Sequence, residues 1–350
     1  MEFDLATLIR MAPDDLMLST VRIARGLTQA ALSARSGISQ ATISKAESGA
    51  IKLDDKRWAA LARELDAPAS LLASPTGPLD TRAVVFHRKR STLPVSAAAR
   101  LRAQLDLLHL QLGALLADAA PVRITRFPLP PDGYVTPEEV AQRVRRELGV
   151  PAGPINDVVA VLEGAGVALV RRDLGSTKID ALMSWPPGSR PVVLLGAHAP
   201  GDRQRFSVAH ELGHAVMHEV PGDDQETEAD RFAAEFLMPR ADIVGQLRDL
   251  TLAKLARLKG EWGVSMAALL RRARDLGQIS ESAYRRLSID LSTAGFRTRE
   301  PVEVLVETPR LVASRIRALL DSGITPHDLA ALASMTVNDF ANTYLHQGVA

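Results

Sequence analysis

Apolar residues recur at helical spacing along most of this chain and give way to short continuous runs only near its middle. Leu101, Leu105, Leu108, Leu112 and Leu115 repeat at alternating four- and three-residue steps. Two heptads are too few to establish a coiled coil, so the spacing predicts a core helix packed on the following domain. Thr136-Pro137-Glu138-Glu139 is a capping box with Pro at the first helical position, opening a helix to about Leu148. A second helix is expected over 155–163, ended by Gly164 and Gly166. Strand-like runs follow at 167–172, 181–185 and 191–195. Beyond Pro239 the pattern is helical again: 252–259, a Ser265-capped helix to Asp275 with Gly277 behind it, and 281–291. Residues 302–350 read as three short helices without a functional signal. The chain is therefore expected to be mainly α with a small sheet.

The N-terminal part is a separate helical unit. Thr28 is placed to cap a helix running to Arg35, Gly37 to make a tight turn, and Ser39 to cap the next helix. Leu32, Ile38 and Ile43 fall where two such helices would cross, which describes a helix-turn-helix whose second helix enters the DNA major groove. A further helix spans 54–65 with Trp58, Leu61 and Leu65 inward, and Pro68 ends the unit. The wording T-Q-x-x-L, G-I-S, I-S-x-x-E-x-G resembles the lambda-repressor-like (XRE-type) helix-turn-helix family over residues 14–73. The resemblance puts Gln29 at a phosphate or base edge, and Ser39, Gln40, Thr42, Ser44 and Lys45 on the groove-facing side. Short amides and hydroxyls suit base edges, and a lysine suits a phosphate. A protein-contact role for the unit is the alternative, since residues 14–73 hold eight Lys/Arg against seven Asp/Glu.

The densest chemistry lies in Ser207–His218. His210-Glu211-Leu-Gly-His214 sits in a helical pattern with Phe206, Val208, Ala209, Leu212, Val216 and Met217. Residues four apart share a helix face, so His210 and His214 can aim two imidazoles at one Zn²⁺, with Glu211 beside them as proton acceptor. A tetrahedral site then lacks a protein ligand. Twelve residues on, Glu226 and Asp230 share a face of a second helix whose Ala229, Ala233 and Ala234 permit close approach. Glu226 is assigned as third ligand, and Asp230 as the acceptor that fixes a ligand imidazole's tautomer. Glu228 points elsewhere and reads as a solvated charge. His218, a turn beyond the metal, reads as a bystander or an outer-shell group.

These segments resemble the ImmA/IrrE family of zinc metallopeptidases: H-E-L-G-H at 210–214, E-x-x-A-D-x-F-A-A at 226–234 and F-L-M-P at 236–239. The resemblance implies an α+β, gluzincin-like peptidase domain whose members cleave a repressor protein and so switch genes on. It carries His210, His214 and Glu226 over as ligands and Glu211 as base. The wording W-x-V-S-x-x-A-L-L-x-R-A-x-D-L-G at 262–277 and Arg299-Glu300-Pro301 also resembles longer proteins with both modules.

Composition changes this picture only at its edges. With 350 residues and 46% apolar content, two or three folded units are expected. These are a helix-turn-helix at 14–73, a linker and connecting helix at 74–120, a peptidase domain at 121–301 and the helical segment 302–350. A net charge of +1 gives no global bias toward nucleic acid or membrane. The absence of cysteine excludes disulfides, thiolate zinc ligands and cysteine-protease chemistry. No apolar run approaches the roughly 18–20 residues that span a bilayer, and Met1-Glu-Phe-Asp has no export signal, so a cytoplasmic protein without membrane contact is expected. Residues 74–82 are broken by Pro and Gly, and 82–102 carry six basic and no acidic residues, suited to DNA phosphates or to a solvated connector. The strands offer an edge on which an extended substrate could add, and Tyr284 or an Arg of 271–274 is a candidate oxyanion group. The expected protein is thus a regulator with zinc endopeptidase activity. Its expected partners are operator DNA, a repressor protein (or its own sister copy) as substrate, and a second copy in a homodimer. The competing reading is a transcription factor whose peptidase-like domain senses a ligand or binds a protein, with zinc structural or absent.

Overall fold

Local capping builds the N-terminal unit as its sequence directs. A computed structural model describes residues 17–74, 94–130, 133–219 and 222–345. Helix α1 (Met17–Ala24) precedes α2 (Gln29–Ser36) and α3 (Gln40–Glu47). The Thr28 hydroxyl accepts from Ala31 N–H, and that of Ser39 from Thr42 N–H. Gly37 turns the chain between them at φ 72°, a left-handed conformation that a side chain disfavours. Helix α4 (Asp55–Leu65) starts on an Asp54 cap. Pro68 does not end the unit: it opens α5 (Ala69–Leu72), whose Leu71 and Leu72 complete the core around Leu18, Leu32, Ile43, Leu61 and Leu65. Proline suits a helix start because the amide it lacks would have no intrahelical acceptor there. Trp58 is only half-buried, at the rim of that core.

The linker stretch 75–82, and the basic stretch as far as residue 93, lie outside the described residues. From Pro94 the chain forms α6 (Val95–Leu115), which carries Arg100 and Arg102. All five spaced leucines are buried, against the sheet and the C-terminal helices. Leu107 and Leu110 point the other way and pack on the helix-turn-helix core. One helix therefore serves two cores.

Helix α7 (Pro137–Glu147) forms with its capping box in place. Helix α8 (Val158–Gly164) starts later than the expected residue 155, because the Asp157 carboxylate caps Ala160 N–H and fixes the start there. Three strands follow, β1 (Ala168–Arg172), β2 (Ala181–Ser184) and β3 (Val192–Gly196), in the order β1-β3-β2. β1 runs parallel to β3, and β2 pairs antiparallel with it through Leu182↔Leu194 and Met183↔Val193. Burial on both faces explains the continuous apolar text. Leu169, Met183, Val193 and Leu195 join the core of α9 (Gly201–Met217), while Ala168, Leu182, Val192 and Leu194 join that of α6.

Behind α9 stands α10 (Gln225–Leu237), followed by α11 (Arg240–Ile243), α12 (Leu252–Trp262), α13 (Met266–Asp275) and α14 (Glu281–Thr293). The final helices α15 (Leu311–Asp321), α16 (Pro326–Leu332) and α17 (Val337–Phe340) close the α6 side of the sheet. They also reach the N-terminal unit, through Arg25 Nη2 to Asp339 at 2.7 Å and Thr336 Oγ1 to Asp66 at 2.7 Å. Among the described residues no helix is long and apolar enough to cross a membrane.

His109 on α6 has a pH consequence. It is 5% exposed, with Nε2 lacking a hydrogen-bond partner. Burial pushes its pKa down to about 4, a hydrogen bond with the Ser184 backbone opposing. The unfolded chain therefore takes up this proton first. The stabilising contribution is complete above the ordinary histidine value near 6.5 and is lost as pH falls toward 4, at up to about 1.4 kcal/mol per pH unit. Urea midpoints measured from pH 7 to pH 4 are expected to fall more steeply for the native chain than for His109→Gln.

Candidate metal centre and nucleic-acid interface

Two helices make the centre, and small residues let them meet. Helix α9 places His210, Glu211 and His214 on consecutive turns, all buried. A Cβ on Gly213 would sit 2.9 Å from the Phe232 ring, so glycine within the motif is what admits α10 so closely. With Ala229 and Ala233 also in the interface, the first turn of α10 carries Glu226 to the imidazoles.

The donor set converges. His210 Nε2 and His214 Nε2 lie 3.1 Å apart, with Glu226 carboxylate oxygens 3.8 Å from the first and 3.6 Å from the second. The tautomers follow from the acceptors behind the rings. Asp230 Oδ1 is 3.0 Å from His210 Nδ1 and, as a carboxylate, only accepts, so in the neutral ring the proton is on Nδ1 and the lone pair on Nε2. Arg271 Nη1, 3.3 Å from Asp230 Oδ2, holds that carboxylate in turn. On the other ring, His214 Nδ1 is 2.9 Å from His218 Nδ1, and His218 Nε2 is 2.9 Å from Glu228 Oε2. Glu228 therefore takes the His218 Nε2 proton, leaving His218 Nδ1 to accept from His214. Two bare nitrogens at 3.1 Å repel each other unless a cation lies between them. Zinc bonds of about 2.0–2.1 Å at tetrahedral angles put ligand nitrogens about 3.3 Å apart, so the donors fit that ion. Burial pushes His214 down to about 4, the nearby Glu226 carboxylate opposing, and likewise holds His218 near 4. Both rings are neutral near pH 7, the form that ligates metal.

Glu211 turns toward the sheet instead. Its Oε2 accepts the Met183 N–H at 3.1 Å, from the side of β2 that does not face β3. The proton acceptor and the outer edge of the sheet are thus in direct contact. Of the oxyanion candidates, Arg272 is buried against Glu235 and Arg274 covers the Tyr284 ring at 4.5 Å, while Arg271 reaches Asp230.

Glu228 was missed. It is not a solvated charge, and His218 is not a bystander: each holds the next group in a line ending at His214. The available signal was His218 at i+4 from His214, which shares its face; nothing local tied Glu228 to it.

On the N-terminal unit, Ser39, Gln40, Ser44 and Lys45 are exposed along α3, and Thr42 is half-buried with its hydroxyl 2.8 Å from Ser39 Oγ. Gln29 is half-buried and donates to Glu47 Oε2 at 2.8 Å, the carboxylate that also pairs with Arg22. This bond orients the Gln29 side chain at the start of α2, beside α3.

Comparison with known families agrees with both units. A model described as helix-turn-helix matches residues 18–72, from within α1 to the end of α5. A model described as the IrrE N-terminal-like domain matches residues 162–274, from the end of α8 through the sheet, α9 and α10 into α13. No curated protein matches the chain. The chain joins an XRE-type helix-turn-helix to an ImmA/IrrE-like domain of metallopeptidase type.

Proposed function

We propose that the protein is a transcriptional regulator whose IrrE-like domain is a zinc-dependent endopeptidase that cuts a repressor protein. One observation carries the reading: two bare imidazole nitrogens and a carboxylate converge within 4.8 Å of one another beside a buried glutamate. Residues 14–73 are the DNA-reading unit and 121–301 the peptidase unit. His210, His214 and Glu226 would hold the zinc. Bound there, zinc supplies Lewis-acid polarisation of a carbonyl and makes water more acidic. An extended substrate adds along the outer edge of β2. Glu211 takes a proton from the attacking water as its oxygen bonds to the peptide carbon. It then delivers that proton to the nitrogen as the C–N bond breaks. Asp230, backed by Arg271, keeps the His210 ring fixed throughout. The repressor as substrate rests on the ImmA/IrrE resemblance.

Two assays on the full chain test the two halves. Incubation with zinc and candidate repressor proteins should give a single cut, abolished by a chelator and restored by zinc. Absence of cleavage for all of them, with zinc bound, would count against the peptidase half. On DNA, Gln40→Ala with Ser44→Ala should reduce preference for a selected duplex over random sequence by about 1–3 kcal/mol per lost base contact. Lys45→Ala should weaken binding to both duplexes and lower the salt slope by about one. Binding that does not respond to salt would make the unit a protein-contact module.

A further inference from the structure

We infer that Glu228 and His218 are positioning residues that fix the His214 ring with its proton on Nδ1 and its Nε2 bare toward His210 and Glu226. His210 is fixed directly, since Asp230 is a carboxylate and can only accept. His214 faces another imidazole instead, and an imidazole nitrogen either donates or accepts. That contact alone leaves both tautomers of His214 open, and the Glu226 carboxylate 3.6 Å from Nε2 favours a proton on that side. Glu228 closes the choice at the far end, by accepting from His218 Nε2 at 2.9 Å. The order of protons is then determined: His218 Nδ1 is bare, His214 Nδ1–H donates to it at 2.9 Å, and His214 Nε2 keeps its lone pair.

The placement is built by the backbone. His218 is the C-cap of α9, with an extended backbone (φ −114°, ψ 117°) while its own N–H still bonds to His214 O at 3.0 Å. It leaves the helix yet stays over the last turn, with its ring buried beside His214. Glu228 comes from the first turn of α10, two residues after Glu226. Its side chain is 29% exposed, so water still reaches the carboxylate at the end of the line. One helical turn thus delivers both a candidate ligand and the group that orients another ligand.

The affinity part of this inference rests on the metal centre proposed above; the tautomer part does not. The test uses full-length protein and three variants: Glu228→Leu, Glu228→Gln and His218→Phe. In the metal-free native protein, ring nitrogen chemical shifts should show His214 protonated on Nδ1. Glu228→Leu should mix the two tautomers, whereas Glu228→Gln, whose amide oxygen still accepts, should keep the native one. Zinc affinity measured against a competing chelator should fall about 10–100-fold in Glu228→Leu and His218→Phe, the usual cost of losing an outer-shell partner. Glu228→Gln should stay within a few-fold of native. A folded Glu228→Leu protein with native affinity and native tautomer would overturn the inference, as would Glu228→Gln behaving like Glu228→Leu. Should His218→Phe fail to fold, Glu228→Leu, at a partly exposed position, carries the test. A native protein that binds no zinc but shows the Nδ1 tautomer would refute the metal centre and keep the positioning role. Zinc binding with a mixed His214 tautomer in the metal-free protein would do the reverse.

Discussion

Replacing Glu211 with Gln should leave zinc content, folding and DNA binding unchanged while cutting peptide-bond hydrolysis by about 10²–10⁴-fold, the usual contribution of a general base. The loss should exceed that range if the same carboxylate must also protonate the leaving nitrogen. The substitution is unusually clean in this fold. Glu211 Oε2 accepts the Met183 N–H, and the amide oxygen of a glutamine can accept it equally well. The β2 edge therefore stays tied to α9, and the three candidate ligands are untouched. Single-turnover cleavage, metal analysis and DNA titration of the same preparation separate the outcomes. Because both units share one chain, the substrate could also be a sister copy; a self-cut near 74–82 would release a fragment of the N-terminal unit's size that the variant lacks. A regulatory response that persists undiminished in cells carrying Glu211→Gln would favour the sensor reading over the peptidase one.

His210→Ala should empty the centre. The change removes one bare nitrogen of the pair at 3.1 Å and leaves His214 and Glu226 as an incomplete set. Zinc should fall from about one per chain to a small fraction after dialysis, and affinity should drop by more than the roughly 10–100-fold that an outer-shell partner is worth. His210 is the better position for this test than His214. Asp230 keeps Arg271 as its partner when the His210 ring is gone, so no carboxylate is left without a counter-charge. His214 by contrast lies between two other rings, and its removal would also unseat His218. Cleavage should vanish with the zinc. Undiminished zinc in a folded His210→Ala protein would refute the ligand assignment.

The DNA-reading unit is not an isolated bead in this architecture. Helix α6 gives one row of side chains to the N-terminal core and another to the sheet that holds the Met183–Glu211 contact. The C-terminal helices add the Arg25–Asp339 pair. The segment 302–350, which offered no function as text, thus has a structural one among its described residues: it closes the sheet face opposite α9.

What the sequence determined by itself is everything that depends on neighbours within a turn or two. The i,i+4 spacing put His210 and His214 on one helix face; Thr28, Ser39, Asp54 and Thr136 marked helix starts; and the apolar runs marked all three strands. Caps, periodicity and motif spacing are local constraints, satisfied by the chain before any long-range packing is chosen. Glu226 and Asp230 were also within reach, because each lies on one predictable face of a second helix.

Only the tertiary structure decided the contacts between segments that are distant in the chain. Pro68 could be read as a stop or as the cap of a further helix, and only the core waiting for Leu71 and Leu72 makes it the second. Glu228 could be solvated or paired, and the crossing of α10 over the last turn of α9, admitted by Gly213, makes it paired. The same packing brings Met183 N–H to Glu211, a contact across 28 residues that no local pattern encodes. A helix face can be read from spacing because 3.6 residues make a turn whatever surrounds it. Which partner fills that face depends on how side-chain volumes pack in three dimensions, and a linear pattern does not carry that information.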